Sequence, residues 1–257
     1  MADGKSNAQG RMQKRKRDRL KARVKRYMPV PLAVRTSDLW VRLGSALVMI
    51  AVAAGVLWAG DPWLDVFILA VVAATLIEMV RLVNRAAKTL PGRIVGIVAG
   101  TVYVGAAGYA LTRFPPSMIV AVVGAVIFVD SFAYFFGRTL GGPKIAPRIS
   151  PSKTWAGLLG GAVGASLWTA GWSATVGDFA GERALGFSVI EILQILALGS
   201  GIAIAAQAGD FFESWLKRRA GVKDSSNLIP GHGGVFDRTD GMIPVVLLVA
   251  LIFGVPQ

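Results

Sequence analysis

The 257-residue chain contains no cysteine and a single histidine, His232. Without cysteine, disulfide frameworks, thiolate zinc sites and cysteine nucleophiles are all excluded. One histidine rules out a multi-histidine metal centre. A metal held by side chains must therefore rest on carboxylates, which favour hard cations such as Mg²⁺. Charge is also sparse: 17% of residues are Asp, Glu, Lys or Arg, against about 25% in soluble domains. Apolar residues make up 54%, above the soluble range of about 45–50%, and mean hydropathy is +0.56. A soluble domain of this length lacks the interior to hide so much apolar surface. The composition predicts an all-α, polytopic integral membrane bundle.

What charge there is lies unevenly. Residues 1–36 hold twelve Lys or Arg and two Asp, so +10 of the formal net charge of +13 belongs to this stretch. It reads as a basic, disordered cytoplasmic tail ahead of one integral domain over residues 37–257. Such a tail holds the N-terminus in the cytoplasm and attracts anionic headgroups, each basic residue near a surface adding about 1 kcal/mol. No aromatic interleaving or recognition fold accompanies it, so nucleic acid is not an expected partner. The following apolar run, about 20 residues, is too long for the core of a cleaved signal peptide.

Apolar runs of spanning length fall at 39–59, 63–83, 94–112, 117–137, 155–176, 188–209 and 241–256. Each needs about 20 residues to cross the hydrocarbon, so about seven spans are predicted, the last of them short. Gly157, Gly160, Gly161 and Gly164 in the fifth run favour close helix packing. The connections alternate in charge. Basic residues crowd the tail, the 81–93 stretch (Arg81, Arg85, Lys88, Arg93), the 138–154 stretch (Arg138, Lys144, Arg148, Lys153) and the 214–240 stretch (Lys217, Arg218, Arg219, Lys223, Arg238). The stretches between them carry none, Arg113 alone, or Arg183 alone. The basic side should face the cytoplasm, which predicts a multi-pass cell-membrane protein with its N-terminus and its 214–240 segment cytoplasmic.

That segment is a charged island in an apolar chain. Just upstream and within it, Asp210, Glu213, Ser214 and Lys217 recur at i, i+3, i+4 and i+7, which is one face of a helix. The sixth run leads into this face, and Gly221 should end the helix. Pro230-Gly231-His232-Gly233-Gly234 then reads as a turn whose backbone N–H groups can approach an anion. Asp237, Arg238 and Asp240 follow. Oxygen ligands and cations around a glycine turn suit phosphoryl or nucleotidyl transfer, which needs charge neutralisation and positioning more than a covalent nucleophile. Ser214-x-x-Lys217 also has the spacing of a serine nucleophile with a lysine base, but that reading leaves the aspartates idle. Asp130 in the fourth run and Glu78 in the second are intramembrane carboxylates, which mark a cavity or an interhelical partner; Arg81 is such a partner for Glu78.

The 27 positions from Ser214 to Asp240 resemble the signature of the phosphatidate cytidylyltransferases (CDP-diacylglycerol synthases) without mismatch. The resemblance runs through Lys217-Arg218, Lys223-Asp224, Ile229-Pro230, His232-Gly233-Gly234-Val235 and Asp237-Arg238-Thr239-Asp240. A second stretch, Asp130 to Arg138 and Lys144 to Gly157, is similar to another part of the family. One position departs from it: Ala156 stands where the family usually carries glutamate. The resemblance implies conversion of CTP and phosphatidate to CDP-diacylglycerol and pyrophosphate. It implies Asp210 and Asp237 as ligands of Mg²⁺, with K⁺ as an optional partner, and Ser214 and Lys217 as active-site residues. Lys153, Lys223 and Arg238 become phosphate binders by their place inside the motifs. His232, Gly233, Gly234 and Asp130 are substrate-contacting candidates. Membrane lipid is a partner by the same reading, and a homodimer is left open. Rival readings are a CTP-dependent enzyme with an isoprenoid acceptor, an ion-coupled transporter and a membrane scaffold. A transporter would carry internal repeats, and none is visible.

Overall fold

Long apolar runs bounded by glycine, proline or charge become helices. The computed structural model describes residues 32–179 and 187–256, with side chains over 39–175 and 187–256. Helices α1 (Leu32–Ala59), α2 (Trp63–Ala86), α3 (Leu90–Arg113) and α4 (Pro116–Thr139) come first. Strands β1 (Lys144–Ala146) and β2 (Ser150–Thr154) follow, then α5 (Trp155–Phe179), α6 (Val189–Ala220), the short α7 (Phe236–Thr239) and α8 (Met242–Phe253). The basic tail lies outside the described residues except for the first residues of α1, as does the 180–186 connection with Arg183.

Five of the seven expected spans, α1 to α4 and α6, are long and apolar enough to cross a membrane. The other two runs are helical but miss one criterion each. Helix α5 has 25 residues, yet its glycine, serine, threonine and tryptophan dilute its hydropathy. Helix α8 has 12 residues, short of the about 20 that spanning requires. The small residues of α5 do what their type suggests. A Cβ at Gly160 would lie 2.5 Å from Phe136 Cβ, and one at Gly164 2.6 Å from the Phe128 carbonyl, so α4 and α5 touch backbone to backbone. The indole of Trp168 donates to the Ala121 carbonyl at 2.8 Å and seals the same interface.

The all-α expectation has one exception, a hairpin in which β1 pairs antiparallel with β2, Lys144 opposite Thr154 and Ala146 opposite Ser150. It is welded to the bundle at its second end. Buried Thr154 accepts a hydrogen bond from Gly157 N at 3.0 Å, capping the start of α5. Helix α6 extends through Ala220 and stops at Gly221, whose φ of 70° is left-handed and whose N–H reaches the Lys217 and Arg218 carbonyls. Its start is fixed by a reciprocal cap between Ser188 and Glu191.

The core runs through Met79 and Leu82 of α2, Val104 of α3, Phe236 of α7 and Val245 and Val246 of α8. Helix α1 differs: no residue of its best spanning window is buried within the protein. Leu47, Val48, Ile50 and Trp58 face outward, as expected of a helix solvated by lipid tails, while Val56 and Leu57 pack against the core.

Candidate active site

The charged residues converge at the end of the bundle that holds the hairpin, the last turns of α6 and α7. Two lysine–carboxylate pairs organise it. Lys153 at the end of β2 forms an ion pair with Asp210 of α6. Lys217, two turns further along α6, bridges Glu213 Oε2 and Asp237 Oδ1, each at 2.5 Å. Asp130 of α4 lies within electrostatic reach of Asp210, Lys153 and Arg238, and Asp240 within reach of Asp210 and Glu213. Residues of α4, β2, α6 and the α7 turn, up to 110 positions apart in sequence, therefore form one charged cluster.

The electrostatics follow from this crowding. Burial would lower the pKa of Lys153, but the Asp210 carboxylate, with Asp130 and Asp240 behind it, holds it above the ordinary lysine value. Lys153 is thus a firm cation. Burial would raise Asp237, yet Lys217 and the Gly234 and Ser225 amides, all donating to it, hold its carboxyl well below the usual carboxylate range. Asp240 is pushed the other way: burial, then the Asp210 and Glu213 charges, raise it well above that range. Its Oδ1 also accepts from the Gly241 amide at 2.9 Å, at the head of α8.

Asp237 is held by its own loop. Its Oδ2 accepts from Gly234 N at 2.8 Å, Ser225 N at 2.9 Å and Ser225 Oγ at 2.8 Å. Gly233 has φ 85°, and a Cβ there would lie 2.7 Å from Asp237 Oδ2. The glycines expected to admit an anion thus admit the carboxylate of Asp237, four residues on.

The other expected site residues divide. Arg238 is on the exposed side of α7 with its charge felt at Asp130. Ser214 is half-buried on the α6 face, but Lys217 turns away from it to Glu213 and Asp237. His232 is half-buried, its Nδ1 hydrogen-bonded to Ser45 Oγ of α1 at 2.8 Å. Lys223 is exposed and makes no ion pair among the described residues. Ala156 is half-buried on the first turn of α5.

Two carboxylates do more than the sequence suggests. Glu213, only 1% exposed, shares Lys217 with Asp237, and its Oε1 is buried without a hydrogen-bond partner. Glu78 of α2 is 2% exposed and does not pair with Arg81. It receives Ser226 Oγ at 2.6 Å and Val235 N at 3.1 Å on Oε1 and Phe236 N at 2.8 Å on Oε2, with Ser225 Oγ 2.9 Å from Oε2 and its one proton shared with Asp237. The signal available in the sequence was a buried-type carboxylate with a threonine, Thr75, three residues before it on the same face. Thr75 Oγ1 meets Thr239 Oγ1 at 3.3 Å.

The donor set fits a hard divalent cation. Asp130, Asp210, Glu213, Asp237 and Asp240 outnumber Lys153, Lys217 and Arg238, and a buried oxygen of Glu213 has no donor. No three such side chains form a ready-made metal cage among the described residues. Mg²⁺ is commonly held by one or two carboxylates, with water and substrate phosphates completing its shell.

Fold and site together define a helical membrane protein with a buried, mixed-charge centre at one end of its bundle. Comparison with known proteins narrows this. Residues 116–255 match the model of the Cytidylyltransferase family, more than half of the chain, and the chain belongs to that family. A phosphatidate cytidylyltransferase of Brucella abortus biovar 1 (strain 9-941) is 41% identical over 168 residues, covering 62% of this chain and 58% of the relative. The phosphatidate cytidylyltransferase of Rickettsia bellii (strain RML369-C) is 39% identical over 127 residues, 49% of this chain and 53% of the relative. That of Thermotoga maritima is 40% identical over 124 residues, 48% of this chain and 44% of the relative. The matched stretches thus span about half the length of these relatives.

Proposed function

We propose that the chain is a membrane nucleotidyltransferase that converts CTP and phosphatidate to CDP-diacylglycerol and pyrophosphate for phospholipid synthesis. The observation that carries this reading is the pair of half-buried lysines, Lys153 and Lys217, each matched to an aspartate and converging from different segments in a family of cytidylyltransferases. In the reaction a phosphate oxygen of phosphatidate attacks the α-phosphorus of CTP. The new P–O bond forms as the bond from the α-phosphorus to the bridging oxygen breaks, and pyrophosphate leaves with that electron pair. The attacking oxygen is already anionic near neutral pH, so no general base is required.

The task of the protein is then to hold two anions together. Lys153 is the more accessible of the two lysines, its side chain 25% exposed against 15% for Lys217. An incoming phosphate can replace Asp210 as its partner. Lys217, held from both sides, keeps a fixed positive charge at the junction of α6 and α7. Such preorganised charge stabilises the build-up on the transferring phosphorus without reorganisation. Mg²⁺, with K⁺ as an optional second ion, would be held by Asp210 and Asp237 and would offset charge on the triphosphate. In this reading Arg238 and Lys223, both exposed, would receive phosphates, and Ser214, His232 and Asp130 would contact substrate.

The basic connections favour a cytoplasmic site in the cell membrane. CTP enters from water and phosphatidate from the leaflet. Purified protein given CTP, phosphatidate and Mg²⁺ should form CDP-diacylglycerol, and chelation of Mg²⁺ should abolish it. No CDP-lipid under these conditions would refute the reading.

A further inference from the structure

We propose that Glu78, on the second helix, is a positioning residue for the transfer: it clamps the loop that presents Asp237 and so sets the carboxylate against Lys217. This rests on the cytidylyltransferase reading of the site. Glu78 lies outside the stretch that matches the family model, which begins at residue 116. Among the described residues it pairs with no lysine. Its four donors all come from one segment, residues 225 to 236.

The geometry gives the clamp a definite route to Asp237. Ser225 Oγ lies between the two carboxylates, 2.9 Å from Glu78 Oε2 and 2.8 Å from Asp237 Oδ2. The Val235 and Phe236 amides, immediately before Asp237, point back to Glu78. Buried Gly234 fits between: a Cβ there would lie 2.1 Å from Ser225 Oγ and 2.4 Å from Glu78 Oε2. Asp237 is thus fixed on one side by Lys217 and on the other by a loop whose far edge is tied to α2. Thr75, one turn earlier on α2, makes the parallel contact to Thr239 of α7.

A carboxylate is required at this place. Glu78 faces two backbone N–H groups, one on each oxygen. A glutamine has one acceptor oxygen, and whichever way its amide is flipped its NH₂ meets a backbone N–H. One donor is then left unpaired in a buried site, a costly state for the local structure.

The test uses full-length protein in detergent, wild type beside Glu78→Gln and Ser225→Ala. Folded fraction is measured by elution and melting, turnover by CDP-lipid formation, and loop order by hydrogen exchange of the 234–237 amides. Glu78→Gln should lower kcat per folded molecule about tenfold or more, with KM for CTP changed less than about twofold. Ser225→Ala should lower kcat by about threefold, and exchange at 234–237 should quicken in both. Unchanged kcat per folded molecule, or a loss wholly in KM, would overturn the proposal. A fall in yield or melting alone, with normal kcat, marks a merely structural residue and also overturns it. Should Glu78→Gln give no folded protein, Ser225→Ala decides by the same criteria. An inactive wild type refutes the proposed function; an active wild type with normal variants refutes this inference alone.

Discussion

The first three helices and the rest of the chain use buried carboxylates in different ways. Beyond residue 130, three carboxylates are met by cations, Asp210 by Lys153 and Glu213 and Asp237 by Lys217, with Asp237 also taking the Gly234 and Ser225 donors. In α1 to α3 the buried carboxylate, Glu78, is met by hydroxyls and backbone amides. A cation can exchange its carboxylate for a phosphate, so the first arrangement is suited to binding and chemistry. Glu78, held by loop donors and by no cation, is suited to fixing that loop. The contrast separates the proposed reacting centre from the frame that holds it, and part of that frame lies outside the family-matching stretch.

The largest effect should come from breaking the reacting centre. Asp210→Asn leaves Lys153 without its anion and removes an expected metal ligand, so kcat should fall by about a hundredfold or more. Steady-state turnover at saturating Mg²⁺ reads this, and near-normal turnover would remove Asp210 from the centre. Gly234→Ala attacks the seam between centre and frame. The added methyl would meet Ser225 Oγ and Glu78 Oε2 well inside contact distance, and the loop must shift. Activity should fall by about tenfold, with melting lowered by a few degrees; full activity would show that the loop tolerates displacement.

Smaller effects should come from α1. Ser45→Ala removes the hydrogen bond to His232, half-buried at the edge of the site, and should change kcat/KM by about threefold or less. A loss as large as that of Gly234→Ala would make α1 part of the frame. Deletion of residues 1–26 should change turnover in detergent least, by under about twofold, since the tail's expected work is electrostatic attraction to anionic lipid. The same assay on anionic vesicles would reveal that contribution.

Much of this architecture was legible in the sequence, for identifiable reasons. The helix through Asp210 and Lys217 and its stop at Gly221 follow from spacing and from the left-handed φ that glycine tolerates. The i, i+4 relation of Glu213 and Lys217 is local and is observed. The partnership of Lys153 with Asp210 is not local; both residues stand out singly, but a tertiary contact across 57 positions leaves no periodic trace. The β1–β2 hairpin was hidden because prolines at 143, 147 and 151 interrupt any strand alternation. Glu78 looked like a partner for Arg81, its neighbour in sequence, whereas its donors lie 147 to 158 positions away. All seven apolar runs are helical; five are long and apolar enough to cross a membrane, while α5 is less hydropathic and α8 has only 12 residues.

The central claim is nucleotidyl transfer at the Lys153–Asp210 and Lys217–Asp237 centre. It is tested most directly by following two phosphorus labels of CTP through a single incubation with phosphatidate and Mg²⁺. Label on the α-phosphorus should enter the lipid product while label on the γ-phosphorus leaves as pyrophosphate, in equal amounts, and both transfers should vanish in Asp210→Asn. Label from the γ-phosphorus in the lipid, or no lipid label at all, would contradict the account.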